Sequence, residues 1–149
     1  MNLWIYQADR QLSDEEKLSF KNDLQEFTDR WNAHGKKLTA EFELPYNQFI
    51  VLKVDEEQAK ASGCSIDDSV RFIKTLEQKY NLSLFDRTNM AYLKDDHIFL
   101  APLNKISSLV STGEINPDTI VFDNTISDQK DYPAHWQLPL KETAYANFV

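Results

Sequence analysis

The chain has 149 residues, with 24 acidic against 16 basic side chains for a net charge of −8, one cysteine and three glycines. This balance lacks the clustered cations that bind nucleic acid or an anionic membrane surface, and a single cysteine allows no intrachain disulfide. The longest apolar stretches, "FIVL" at 49–52 and "IFLAPL" at 98–103, fall well short of the roughly 20 residues of a membrane helix.

With 42% hydrophobic residues, the chain can bury a core without metals or disulfides. No basic region precedes the apolar start of "MNLWIYQADR", so no secretory signal is read. A cytoplasmic protein forming a single domain over 1–149 is expected.

Residues 2–8, aromatic and β-branched, predict a first strand. Ser13 with Glu16 forms a capping box for the helix that follows, and Phe20, Leu24, Phe27 and Trp31 recur at helical spacing as its buried stripe. Gly35 suits the left-handed position that ends a helix, with Arg30 and His34 near the last carbonyls.

Alternation over "LTAEFEL", 38–44, predicts a half-buried strand. "PYN" turns it into the more fully buried "QFIVLKV", 48–54, as a hairpin. Asp55 to Glu57 reads as a solvated turn or the first turn of a short helix. Ser65 and Asp68 then form a capping pair for a helix with the stripe Val70, Ile73, Leu76 and Tyr80, closed by Asn81.

"MAYL" and "HIFLA" flank "KDD" as a second hairpin. Pro102 starts a third helix that Gly113 ends, and "TIVF" at 119–122 is a strand. Two prolines in "YPAHWQLPL" predict an extended segment laid over the body, not a central strand. The order gives an α+β fold with an antiparallel sheet and helices on one face. Its core is βαββαβ, ferredoxin-like, followed by strand, helix, strand and an extended C-terminal tail.

The chemistry is mostly negative. The glycines at 35, 63 and 113 are isolated, so neither phosphate-cradling glycine pattern is present. The scattered His34, His97 and His135 offer no local ligand pair for a metal, and no cofactor is expected.

Cys64 precedes the presumed cap Ser65, where helix amides favour a thiolate. Asp67 and Asp68 in the first turn oppose that charge, and Arg71 is one position too late for a C-x5-R phosphate loop. Cys64 therefore reads as a buried structural cysteine, with a reactive thiol as the alternative and His34 as its candidate base. Asp86 and Arg87 are candidate ligand contacts or a loop-pinning ion pair, and Trp31 is a further aromatic candidate set against a core role. Glu41 and Glu43 read as a solvated sheet face. Tyr132 and Trp136 in the tail suit covering a sheet edge of the same chain or of a second subunit.

"RWNAHGKKL" at 30–38, "SGCSIDDSVRFIKTLE" at 62–77 and "LFDR" at 84–87 together resemble a family of small Bacteroidota proteins, over a span from the first helix to about Phe122. Its members often carry the label "ABC transporter ATPase". The resemblance supplies no catalytic residue or cofactor to carry over. The label implies a Walker A loop, a Walker B strand and a signature motif. Only "TIVFD" at 119–123 resembles one of these, so a P-loop ATPase is not expected.

The function expected is a non-enzymatic binding or assembly domain for a small molecule, a protein partner or a second copy of itself. The alternative is a thiol-dependent enzyme or redox sensor using Cys64.

Overall fold

A computed structural model describes residues 2–56 and 59–148. It is a mixed α+β structure with antiparallel sheets. Where one domain is expected, the chain groups into two compact units. The first is the chain through Phe85 with Ser127–Lys130, and the second is Asp86–Ile126 with the chain from Asp131 onward.

The first unit opens with β1 (Asn2–Gln7) and α1 (Asp14–Arg30). Ser13 caps α1 reciprocally: its Oγ accepts the Glu16 amide at 3.2 Å, and Glu16 Oε1 accepts the Ser13 amide at 3.0 Å. Phe20, Leu24, Phe27 and Trp31 are all buried, as their spacing demands.

Gly35 does not end this helix. The helix stops at Arg30, Trp31 is already extended, and β2 (Asn32–Ala33) pairs with β3 (Lys36–Lys37). His34 and Gly35 form the turn between them, at φ 51° and 81°. A two-residue hairpin turn needs positive φ at both central positions, and glycine meets that demand as readily as it meets a helix end.

β4 (Thr39–Glu43) and β5 (Phe49–Asp55) form the expected hairpin, and β5 lies between β1 and β4. Paired on both sides, β5 is buried from Phe49 through Val54. Its Ile50, Leu52 and Val54 join the helical stripes in one core, so both helices cover the same face of the sheet. Asp55 ends the strand, and Glu57 lies outside the described residues.

The next helix, α2 (Gly63–Tyr80), corrects the expected cap. Ser62 is the N-cap: its Oγ accepts the Ser65 amide at 3.1 Å, and Ser65 Oγ accepts the Ser62 amide at 2.7 Å. The Ser65 hydroxyl performs the task usually given to Glu or Gln. Asp68, released from capping, pairs with Arg71 one turn on. At the far end, Asn81 closes α2 in the left-handed conformation. The Arg10 guanidinium links the two helices, donating to both Glu16 carboxylate oxygens at 2.8 Å and to the Tyr80 carbonyl at 2.7 Å.

The first sheet has the order β1-β5-β4, so among the described residues the four-stranded sheet expected of a βαββαβ core is not formed. The strand after α2, β6 (Asn89–Lys94), instead pairs with β7 (His97–Pro102) across the two-residue turn Asp95-Asp96, both at positive φ. Its other edge takes β8 (Ile120–Phe122), and β9 (Gln137–Pro139) completes the order β7-β6-β8-β9. The outer edge of β1 is met by the return of the chain: the Leu3 amide donates to the Ser127 carbonyl at 3.0 Å, and Asn2 bridges to Asp128.

In the second unit, α3 (Ile106–Thr112), entered through a 3-10 turn and closed by Gly113, contributes Ile106 to a core with Met90, Tyr92, Ala101, Ile115, Val121 and Leu140. Trp136 is buried against Phe122 and Tyr132 and donates its indole N–H to Asn124 at 2.9 Å. Among the described residues of the tail, where an extended segment is expected, only Gln137–Pro139 is a strand, at an edge of its own sheet; residues 132–136 are turn, and Leu140–Glu142 and Ala144–Phe148 are 3-10 helices.

Replacing the true cap, Ser62→Ala, is expected to lower unfolding free energy by about 1 kcal/mol, whereas Asp68→Ala changes it by less than about 0.5 kcal/mol. Urea titration of the two variants checks the order. The Arg10 guanidinium, followed by the Ser13 amide, lowers the Glu16 pKa from 4.5 to about 2. A carboxylate with a depressed folded pKa stabilises the protein above its ordinary pKa, and that stability is lost as pH falls towards the folded value. The wild type is thus expected to lose stability between about pH 4.5 and 2 through this group, and Glu16→Gln to flatten that part of the acid-unfolding profile.

Candidate functional site

Among the described residues, no hydrogen bond or ion pair joins the side chains singled out in the sequence to one another. Cys64 is exposed, which overturns the expectation of a buried cysteine. Because α2 begins at Gly63, the thiol sits on the outer side of the first turn, while Ser65 and Ser69 take the buried positions. His34 lies exposed in the β2–β3 turn. Among the described residues, neither side chain makes a hydrogen bond or ion pair. No group of three or more His, Cys, Asp or Glu that could hold a metal occurs among the described residues.

Trp31 is only 1% exposed. Its indole N–H donates to the Ser65 carbonyl at 2.8 Å, and its ring meets Trp4 edge-on. It fastens the end of α1 to the first turn of α2 and offers no face to a ligand.

Asp86 does pin a loop, but without Arg87. Its carboxylate accepts the Thr88 amide at 2.8 Å, the Thr88 hydroxyl, and the Asn89 side-chain amide at 3.3 Å. The Thr88 bonds hold its pKa below the ordinary carboxylate value. The Arg87 side chain is exposed.

An open groove of about 220 Å³ runs between α1 and α2. Its floor is the stacked pair Phe27 and Phe72, with ring centres 4.3 Å apart. Of the rim charges, Asp23, Lys79 and Arg30 are engaged within the protein. Lys79 binds both oxygens of Asp23 at 3.0 and 2.9 Å, Tyr80 donates to Asp23 at 2.6 Å, and Arg30 lies 5.1 Å from the centre of the Phe27 ring. Asp23 raises the Lys79 pKa, while burial, then Asp23, raises that of Tyr80. The groove is smaller than the roughly 300 Å³ at which ligand pockets begin, and its Asp23 is already bonded to Lys79 and Tyr80.

The strand edges tell more. An unpaired edge is a template for another strand, and proteins blunt such edges with charge, proline, brevity or a covering segment. In the first sheet, β1 is covered at Ser127 and Asp128, and β4 carries Glu41 and Glu43, both paired to the buried Lys53 on β5. That ion-paired arrangement replaces the simple solvated face expected of the two glutamates. In the second sheet, β9 is three residues long and ends in Pro139.

β7 has six residues, "HIFLAP", with no Asp, Glu, Lys or Arg. Phe99 is 42% exposed, and Ile98 and Leu100 are partly exposed. The two-residue turn makes Lys94 and His97 a hydrogen-bonded pair, and such pairs alternate along an antiparallel ladder. Tyr92 with Phe99 and Met90 with Ala101 are then the next bonded pairs, so the backbone groups of Ile98 and Leu100 face outward. Among the described residues no backbone hydrogen bond reaches them. The sequence reading recognised this strand but not its edge position. The available signal was five successive residues, 97–101, without a charge in a chain that is 27% charged.

Set against known protein families, curated proteins and solved structures, the chain matches none. The candidate site is therefore defined by geometry alone: an apolar, unpaired strand edge.

Native protein is expected to take up one alkyl group at Cys64 without denaturant, read by intact mass. Protection of the thiol until unfolding would show that the exposed position is wrong.

Proposed function

We propose that this chain is a non-enzymatic binding or assembly module that works by accepting an additional strand at the free edge of β7. The observation that carries the reading is the contrast among the edges of the two larger sheets: covered at β1, charged at β4, short and proline-ended at β9, open and apolar at β7. In strand addition, main-chain hydrogen bonds supply affinity and alternate side chains supply specificity. Ile98 and Leu100 would provide the former, and Phe99 the latter.

Of the partner classes open to such a module, a protein or a second copy fits an extended edge better than a small molecule does. The net charge of −8 disfavours nucleic acid and anionic membranes. Among the described residues no helix is long and apolar enough to cross a membrane, and a cytoplasmic location belongs to the same proposal. So does membership of the Bacteroidota family, which adds no chemistry. We further read the first unit, with its β1-β5-β4 order, as a ferredoxin-like core lacking its fourth strand. The exposure of Cys64 favours one second reading, a thiol-dependent sensor or enzyme. It needs a base that the side-chain hydrogen bonds do not supply.

Native mass spectrometry of the protein as purified is expected to show a homo-oligomer or a retained protein partner. A bare monomer at all concentrations, gaining no partner from its source extract, would overturn strand addition. Fast alkylation of Cys64 at pH 6 to 7, together with a retained small oxidant or substrate, would favour the thiol reading.

A further inference from the structure

Resting on the strand-addition reading, we propose that the strand added to β7 is β7 of a second copy, antiparallel, with Phe99 on the two-fold axis. An isologous contact requires a self-complementary patch, and the hydrogen-bond alternation provides one. The outward backbone groups belong to Ile98 and Leu100. Pairing Ile98 of each copy with Leu100 of the other joins every one of these outward N–H and C=O groups in bonded pairs.

In that register Phe99 falls opposite Phe99 as the non-hydrogen-bonded pair, where side chains approach most closely. Phe99 already lies against Tyr92, with ring centres 5.5 Å apart and planes 22° from parallel. The two copies would extend this contact into a row of four rings across the joined sheets.

Charge points to the same occupant. Two copies each bearing −8 repel one another over most of their surface, and β7 is a strand on which neither carries a carboxylate. The same register carries the acidic turn Asp95-Asp96 of each copy past Pro102 of the other, towards the exposed Lys105 that follows.

A strand seam alone buries less than a standard interface, so the dimer is expected to be weak and to form with rising concentration. Sedimentation velocity over a concentration series tests it. The wild type should dimerise, and Phe99→Lys and Phe99→Glu should each weaken dimerisation at least about tenfold through like charge on the axis, with unchanged circular dichroism. An equimolar mixture of the two variants should restore a heterodimer, identified by mass.

Leu100→Pro removes one outward N–H from an edge that tolerates proline and should weaken the dimer while leaving Phe99 in place. It serves as the second probe should either charged variant fail to fold. A wild-type dimer indifferent to all three changes would overturn both the inference and the strand-addition reading. Loss of the dimer in each charged variant without rescue in the mixture would overturn the Phe99 register alone. A wild-type monomer that retains a different protein, released by Phe99→Lys, would overturn the second copy as occupant and keep strand addition.

Discussion

A β-strand carries hydrogen-bonding groups along both edges, and each edge must be paired, covered or left to water. Most of this structure follows from how that requirement is met. β5 can be buried from Phe49 through Val54 because β1 and β4 pair with both of its edges. The return of the chain at Ser127 and Asp128 meets the outer edge of β1, and the strand after α2 is drawn into a different sheet, where β7 and β8 pair with it. The interaction surface proposed for this protein is the edge where the requirement remains open.

The helices obey the corresponding rule at their ends, where the first amides and last carbonyls lack partners within the helix. Reciprocal serine and glutamate bonds open α1, and reciprocal serine bonds open α2. Arg10 carries a positive charge from the α1 capping box to the last carbonyl of α2, and Trp31 donates across to Ser65. The stretch around Cys64 therefore has a structural explanation without the sulfur. Ser62, Ser65 and Trp31 organise it, and the thiol is left facing outward.

Local patterns were legible where one residue type answers one local demand. The Ser13 and Glu16 box, the stripe from Phe20 to Trp31, the buried run of β5, the Asp95-Asp96 hairpin and the stop at Gly113 could all be read in order. Reading failed where two demands share a signature. Gly35 serves a hairpin turn as well as a helix end. A serine three positions from Ser62 caps as glutamate does, which moved the helix start and turned Cys64 outward. Asp86 beside Arg87 suggests an ion pair, yet the carboxylate turns to Thr88 and Asn89.

By itself, the sequence determined the α+β class, the longer helices and strands and the apolar faces, because these depend on periodicity and on backbone preferences within a few residues. Tertiary structure alone decided which strands became neighbours: it paired β6 with β7 and β8, grouped the chain into two compact units and left β7 at an edge. The physical reason is that an edge is not a property of a strand. "HIFLA" would serve equally well in the middle of a sheet, and only the absence of a second neighbour turns its outward N–H and C=O groups into a site.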